Sequence, residues 1–192
     1  MPQAAKLLSG CFLPAILIAI LLTACENDLK KVQQISAKEL NNPTDSSIAV
    51  DVTYSDSGRV KARLITPLLL DFKTLSRPYR EMPKGVKIVF YDKDLKPMTT
   101  VVSDYAITSN NDNIITLRKN VVVNNIAGDN LKSEELIWDK LKKTMFSNKP
   151  VVLNKADGTV LHYTNFTSNE NFSDYTGQGG YGTIITKGNI AQ

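Results

Sequence analysis

Few residues of this chain have the chemistry of a catalytic or metal site. His162 is the only histidine among the 192 residues, so neither a multi-histidine metal site nor a catalytic triad has support. Glu134 and Glu135 form an acid pair of the kind that cleaves glycosides, but adjacent residues of a strand face opposite sides. The segment TGQGGYG, residues 176–182, lacks the lysine and the helix that complete a phosphate-binding loop. The sequence therefore predicts no catalytic residue, no metal and no cofactor.

Cys25 is the residue with the most specific chemical prediction. An apolar run over residues 12–22 precedes it, with Lys6 on the N-terminal side. The run is shorter than the ~20 residues that a membrane-spanning helix needs, and its pattern is typical of a secretory signal peptide. The tetrapeptide LTAC, residues 22–25, resembles a bacterial lipobox, in which the cysteine is acylated and the chain is cut before it. We therefore predict a signal peptide over residues 1–24 and a lipid anchor at Cys25.

A lipid anchor defines the expected compartment and the first partner. Two or three acyl chains hold a protein at a bilayer, because each buried CH₂ contributes about 0.8 kcal/mol. The predicted location is therefore the cell envelope, facing the periplasm, with the inner membrane favoured and the outer membrane left open by the residues after Cys25. The alternatives are an uncleaved anchor and an ordinary signal peptide with an incidental cysteine. Cys11 lies within the signal, so a processed chain keeps Cys25 alone and forms no internal disulfide.

Composition indicates one ordinary folded domain after a tether. The chain is 42% hydrophobic and 22% charged with a net charge of +4, and its basic residues are interleaved with acids. Nucleic acid requires a clustered basic stripe, so we predict no nucleic-acid partner. Residues 25–47 are polar and end in the turn-forming cluster NNPTDSS, which predicts a tether. The folded domain is predicted over residues 48–175, followed by a flexible C-terminal tail over residues 176–192.

The predicted domain is all-β and built from repeats. Short runs rich in valine, isoleucine, threonine and aromatic residues alternate with turn signals such as SDSG and DKDLK. Three segments of ~30 residues align, so that Asp104-Tyr105 corresponds to Glu135-Leu136 and to Asn165-Phe166. Each unit is too small to bury its own apolar face, so the units must stack into one elongated β structure. Pro67 within one run predicts an edge position or a bulge, because proline cannot donate to a ladder.

Alternation along each strand predicts which side chains face the interior. Lys87 is placed outside, which turns its neighbours and the aligned positions of later repeats inward. After the turn at residues 126–130, a bulge or corner is needed to keep Leu131 and Leu136 on one face. The preceding repeat is expected to have the same arrangement between Val102 and Tyr105. The predicted interior residues are Val86, Ile88, Phe90, Val102, Tyr105, Val121, Val123, Leu136, Trp138, Val151 and Leu153.

The segments MPKGVKIVFYDKDLK, LKSEELIWD, SNKPVVL and FTSNENFSDYT, in this order after a lipobox and tether, resemble the LptC family in its Bacteroidetes-type lipoprotein form. The resemblance implies a twisted, partly open antiparallel β-jelly roll of the OstA-like type. It implies that the interior residues line a groove for the acyl chains of lipopolysaccharide. The implied partners are the inner-membrane ABC transporter complex and a soluble periplasmic bridge protein, joined by edge-strand pairing. Because neither end of the repeat array looks sealed, we predict the transporter contact at residues 50–54 and the downstream contact at residues 151–166. If Val152 lies on the exposed edge, Val152→Pro is expected to abolish the downstream contact selectively. Better-known members carry a transmembrane helix where this chain has Cys25.

One alternative function remains open from the sequence. A lipid-anchored β-sandwich at the cell surface that binds glycan or protein would have the same composition and strand pattern. The shape of the interior discriminates between the two functions. An open apolar trough favours lipid transport, whereas two sheets packed solidly against each other favour the surface lipoprotein.

Overall fold

The computed structural model describes residues 42–73, 77–109 and 111–185. The predicted signal peptide, Cys25 and most of the predicted tether lie outside these ranges. The described residues contain no helix long and apolar enough to cross a membrane. They form fourteen strands: β1 Asp45–Asp56, β2 Arg59–Phe72, β3 Tyr79–Met82, β4 Val86–Tyr91, β5 Pro97–Ser103, β6 Tyr105–Ser109, β7 Ile114–Asn125, β8 Asn130–Asp139, β9 Thr144–Ser147, β10 Val151–Asn154, β11 Val160–Tyr163, β12 Asn165–Asn169, β13 Tyr175–Gln178 and β14 Tyr181–Thr183.

All strand pairs are antiparallel, and together they form one large sheet, which confirms the predicted all-β jelly roll. The sheet consists of two layers, because β2, β7 and β8 are long enough to pair with different neighbours along their two halves. In β2, residues 62–65 pair with β4 and residues 70–72 pair with β3. In β7, residues 122–125 pair with β5 and residues 114–118 pair with β6. In β8, residues 130–133 pair with β10 and residues 137–139 pair with β9.

The two layers can be followed along the pairings. The first layer runs through β1, β2, β4, β5, β7, β8, β10, β11 and β14. The second layer runs through β1, β2, β3, β6, β7, β8, β9, β12 and β13. The chain therefore passes repeatedly from one layer to the other, and each passage forms a corner. The opposite ends of the strands carry the hairpin turns of both layers, and we call this side the turn side.

The corners form where the residues cannot continue a regular ladder. Lys119 and Asn120 have positive φ values of 63° and 52° and interrupt the β7–β8 register between Arg118 and Val121. They stand opposite Glu134 alone, so this corner is the bulge predicted between Leu131 and Leu136. Pro67 lies in β2 between the residues that pair with β4 and those that pair with β3, where the missing N–H removes no ladder bond on that side.

The hairpin turns follow the predicted signals. Asp56 pairs with Arg59, so the β1–β2 loop has two residues, Ser57 and Gly58. Their φ values are 52° and 75°, and positive φ at both central positions is what the tight hairpin turn requires. Asp92 stabilises the β4–β5 turn because its carboxylate accepts the backbone N–H groups of Asp94 at 2.8 Å and Lys96 at 2.9 Å.

The β structure extends beyond both predicted boundaries of the domain. β1 begins at Asp45, within the predicted tether. The predicted flexible tail is wrong for residues 176–183, which belong to β13 and β14 and pair with β12 and β11. Glycine in this segment permits close approach: a Cβ on Gly177 would lie 2.1 Å from the Tyr163 ring. The glycine content that suggested flexibility therefore allows this strand to pack directly on Tyr163.

Candidate functional site

The inward side chains of both layers form one apolar core. Nine of the eleven predicted interior residues belong to it, with exposed fractions from 0% to 5%: Val86, Ile88, Phe90, Val121, Val123, Leu136, Trp138, Val151 and Leu153. Equivalent positions of successive repeats flank a shared neighbour across the strands. Ser133 stands opposite Val121 on one side and Val151 on the other. The stacking of repeats thus makes the apolar interior continuous along the sheet.

The predicted orientation is wrong for Val102. This residue stands directly opposite Lys87 in the β4–β5 pair and shares its outward face, whereas Val101 stands opposite Ile88 and is fully buried. Across the next pair, Val101 faces Val123. The interior position of β5 is therefore occupied by Val101, and Val102 is half-buried on the outer surface.

The predicted orientation is also wrong for Tyr105. It stands opposite Arg118, which is exposed, while its neighbour Ala106 is fully buried. The Tyr105 hydroxyl donates a hydrogen bond to the Glu81 carboxylate at 3.0 Å. Burial, together with the carboxylate of Glu81, raises the pKa of Tyr105 to about 12. Tyr105 therefore joins β6 to β3 on the outer face of the second layer.

The error at Tyr105 is a one-residue slip in the repeat alignment. Ala106, Leu136 and Phe166 are all buried and are 30 residues apart in sequence (136 − 106 and 166 − 136). Aligning Tyr105 with Leu136 uses a step of 31, and a one-residue shift moves a strand side chain to the opposite face. A uniform step of 30 identifies both Ala106 and Phe166, which the sequence prediction omits from the interior.

An aromatic cluster joins the two layers. Trp138 in the second layer packs edge-on against Phe90 in the first layer, with ring centroids 4.8 Å apart, and against Tyr54 at 5.5 Å. Its indole N–H donates to the Glu170 carboxylate at 2.9 Å, so the buried polar atom is paired. The Lys140 ammonium lies 5.2 Å from the centroid of the Tyr54 ring, and burial lowers the pKa of Lys140. The cluster closes the interior near the turn side.

The interior is packed rather than hollow in the part of the chain that the structure describes. One cavity between the layers measures about 10 Å³, which is at the lower limit for one water molecule. It is lined by Val123, Asn125, Asp129, Leu131, Leu153, Phe166, Phe172 and Tyr175. The open apolar trough expected from the sequence is therefore absent between these residues, because their side chains meet across the two layers.

Polar contacts between the layers lie on the turn side. Asp56, at the end of β1, accepts a hydrogen bond from Lys143 of the β8–β9 turn at 2.6 Å. This hydrogen bond holds the pKa of Asp56 below its usual range. The Thr99 hydroxyl donates to the backbone carbonyl of Asn171 at 3.1 Å. The layers are thus held together by apolar packing inside and by a small number of polar contacts at the rim.

The residues with catalytic potential do not converge. His162 lies in β11 with its ring stacked on Tyr181, at a centroid distance of 4.7 Å. Glu134 is exposed at a corner, and Glu135 accepts a hydrogen bond from Arg118 at 3.0 Å. Among the described residues, no group of three or more histidine, cysteine, aspartate or glutamate side chains could hold a metal ion. His162 and Glu135 thus make surface contacts, and Glu134 is exposed to solvent.

Two edges of the sheet have strands with a single neighbour. In the described part of the chain, β1 pairs with β2 alone, while β13 and β14 pair with β12 and β11 alone. Exposed apolar side chains mark both edges: Ile48 and Val52 on β1, and Tyr181 followed by Ile184 and Ile185 near β14. Unpaired N–H and C=O groups along such strands are templates for pairing with another chain.

A family model described as lipopolysaccharide-assembly, LptC-related, matches residues 13–161. The chain belongs to the LptC-related family. The match extends from the apolar N-terminal run into β11, so β12, β13 and β14 follow the matched region. A search of the curated proteins found no match to this chain.

Membership of the LptC-related family gives the core and the edges a biological context. The chain takes part in lipopolysaccharide transport, and its location is the periplasmic side of the cell envelope.

Proposed function

We propose that this LptC-related chain is a periplasmic bridge component, which receives lipopolysaccharide from the inner-membrane ABC transporter complex and passes it to a soluble periplasmic bridge protein. The observation that supports this role most directly is the combination of a continuous apolar core with two unpaired edges. Each methylene exposed to water costs nearly 1 kcal/mol, so acyl chains need a dry route between membranes. A row of jelly rolls joined edge to edge supplies such a route.

The acyl chains in this proposal enter between the two layers. The nine buried residues predicted from the sequence then form the route, with Val101 and Ala106 in place of Val102 and Tyr105. Because the interior is packed, the layers must separate on the turn side for a chain to enter. The acyl chains then contact Phe90 and Trp138 in place of the contact that these two rings make with each other in the closed state. The free-energy cost of separating the layers is therefore lower when lipid is present.

The edges in this proposal bind different partners. β1, with exposed Val52, pairs with a β domain of the transporter, and β13–β14, with exposed Tyr181, pairs with the downstream bridge protein. The repeat pattern of the sequence instead predicts the downstream contact at residues 151–166. That location is wrong for Val152, because β10 already has β8 and β11 as neighbours. The downstream contact is therefore assigned to the C-terminal strands.

A lipid anchor at Cys25 completes the proposal. An acylated cysteine would hold the jelly roll at the inner membrane beside the transporter. Cys25→Ala in the full-length chain should give a folded protein that leaves the membrane fraction. Tight membrane association of this variant would instead indicate an uncleaved N-terminal anchor. Mass spectrometry of the wild-type N-terminus checks acylation independently.

The alternative function is a lipid-anchored surface lipoprotein that binds glycan or protein. The packed interior favours this alternative, since a cavity of about 10 Å³ has no room for an acyl chain. Family membership favours lipopolysaccharide transport. The two functions differ in whether lipid ever reaches the space between the layers.

Site-specific photocrosslinking in living cells distinguishes the two functions. A photoreactive residue at position 90 faces the core, and one at position 102 faces outward from the neighbouring strand. We expect lipopolysaccharide to crosslink at position 90 and not at position 102. Equal crosslinking at both positions, or none at position 90 in a variant that supports growth, would contradict lipid passage through the interior.

A further inference from the structure

A second, larger cavity lies on the turn side of the first layer. Its volume is about 470 Å³, and it lies between the β1–β2 hairpin and the β4–β5 hairpin. Its lining residues are Gly58, Arg59, Val60, Lys61, Tyr91, Asp92, Lys93, Leu95, Met98 and Asn171. Asn171 belongs to the β12–β13 turn of the second layer, and its carbonyl accepts the hydroxyl of Thr99, the residue after Met98. The cavity therefore opens at the boundary between the two layers.

Positive charge is concentrated in this cavity. Arg59, Lys61 and Lys93 contribute three cations, and no ion pair within 4.0 Å neutralises any of them among the described residues. Asp92 is the acidic residue of the lining, and one of its oxygens is already bound to the N–H groups of its own turn. The cavity lining thus contains more cationic hydrogen-bond donors than carboxylates to pair with them.

Apolar side chains complete the lining. Val60 and Met98 are half-buried on the two flanking strands, and Leu95 is 58% exposed at the tip of the β4–β5 turn. A non-glycine residue with positive φ is uncommon, and Leu95 has a φ of 61°, so the turn holds this leucine in an unusual conformation at the cavity. Cations beside apolar surface match a ligand with an anionic group attached to hydrocarbon.

This cavity differs from another charged cavity of the same molecule in whether its cations are paired. Another turn-side cavity, of about 220 Å³, contains Arg80 and Lys73. There Arg80 is paired with Asp112 at 2.6 Å and with Asp71 at 3.3 Å, and Lys73 is paired with Asp71 at 3.4 Å. Those cations are neutralised, so an anion gains little there. Of these two cavities, the one beside Arg59 is the one whose cations form no ion pair with the described residues.

We propose that the cavity lined by Arg59, Lys61 and Lys93 binds the phosphorylated headgroup of an amphiphile whose acyl chains lie between the layers. This inference rests on the proposed function. A phosphate cannot follow the chains into the apolar core without a large desolvation cost, so it must stay at the rim. Phosphate oxygens accept charge-assisted hydrogen bonds from arginine and lysine, which are stronger than neutral ones. The cavity places three such donors where the two layers meet.

The test compares lipids that differ only in phosphate. The full-length protein, purified in detergent, is titrated with lipopolysaccharide and with the same lipopolysaccharide after enzymatic removal of its lipid A phosphates. The variant Arg59→Gln/Lys61→Gln/Lys93→Gln should bind the phosphorylated lipid about tenfold more weakly and the dephosphorylated lipid as well as wild type does. The charge-retaining variant Arg59→Lys/Lys61→Arg/Lys93→Arg should restore the preference for phosphate.

A matched control removes three cations elsewhere. Lys84, Lys87 and Lys132 are exposed and form no ion pair among the described residues, so their replacement by glutamine lowers the net charge equally. This control should retain the wild-type affinity for phosphorylated lipid. Equal weakening in both triple variants would overturn the assignment, because it would mean a general effect of net charge. Circular dichroism confirms that each variant is folded.

Two further outcomes identify the ligand. Free inorganic phosphate at millimolar concentration should not displace the lipid, and displacement would overturn the proposal in favour of a site for soluble phosphate. Equal affinity of wild type for the two lipids would overturn the headgroup site while leaving lipid transport intact. Failure of the proposed function is a separate result, because position 90 would then yield no crosslink to either form of the lipid.

Discussion

Trp138 and Phe90 pack edge to face with their ring centroids 4.8 Å apart, although they belong to different layers of the sheet. Edge-to-face pairs of this kind contribute about 0.5–1.5 kcal/mol beyond the area that they bury. The contact lies among the residues of the proposed lipid route and joins the two layers whose separation that proposal requires. In that proposal, the stability of the jelly roll and its capacity for lipid depend on the same contacts.

A charge introduced in the core should destabilise the fold. Ile88→Asp places a carboxylate at a position with 0% exposure, and we expect a loss of more than about 3 kcal/mol of unfolding free energy. Val102→Asp is the matched control, because its side chain faces outward beside Lys87, and its effect should stay within about 1 kcal/mol. Urea unfolding measures both. Equal stability of the two variants would indicate an open interior that hydrates the carboxylate.

The contact between Asp56 and Lys143 should make the stability of the fold depend on pH. The hydrogen bond from Lys143 lowers the pKa of Asp56, so the contact stabilises the fold above the ordinary aspartate pKa of about 3.9. Stability from this pair is lost as the pH falls through the lowered pKa of Asp56. The difference in urea midpoint between wild type and Asp56→Asn should therefore be present at neutral pH and disappear in strong acid. Lys143→Gln should behave like Asp56→Asn, and an additive effect in the double variant would argue against a direct pair.

Glycine at position 182 should be required for the last strand to pair. A Cβ added there would lie 2.0 Å from the Val160 carbonyl oxygen, a backbone atom that cannot move away cheaply. Gly182→Ala should detach β14, and hydrogen exchange should become faster in β11 while the core strands keep their protection. Thr183→Ala, in the same strand, is the control. Unchanged exchange in β11 would show that the strand accommodates a side chain.

The two edges should contact different partners. A photocrosslinker in place of Val52 should capture a component of the inner-membrane transporter, and one in place of Tyr181 should capture the soluble bridge protein. The same group in place of Val152 should capture neither, because β11 and β14 lie between β10 and the edge. Exchange of the two partners between Val52 and Tyr181 would reverse the assigned direction of the chain, and capture at Val152 alone would place the junction elsewhere.

Proline tests the interior position of β10 in a complementary way. Val152→Pro removes a donor from a strand that has neighbours on both sides, so the fold should fail and binding to both partners should disappear with it. The sequence alone predicts a selective failure to bind the downstream partner. Retention of transporter binding in this variant would favour that selective effect and an exposed β10.

The sequence by itself determined the features that depend on local pattern. Alternation around Lys87 identified Ile88 and Phe90 as interior residues, and the spacing of Leu131 and Leu136 required the bulge that Lys119 and Asn120 form in the opposite strand. The order of the motifs led to the LptC family. These inferences hold because a strand repeats every two residues and a turn needs particular residues, whatever lies elsewhere in the chain.

Only the tertiary structure decided which residues meet across strands and layers. Val102 and Tyr105 were assigned to the wrong face, because a register depends on pairing between distant segments and a one-residue slip inverts it. The glycine-rich C-terminal segment became two paired strands only because the fold places β12 and β11 beside it as ladder partners. Lys93 lies far from Arg59 and Lys61 in sequence, and only the neighbouring hairpins place the three cations around one cavity. Packing of both layers, which no local pattern encodes, determines that the interior is filled.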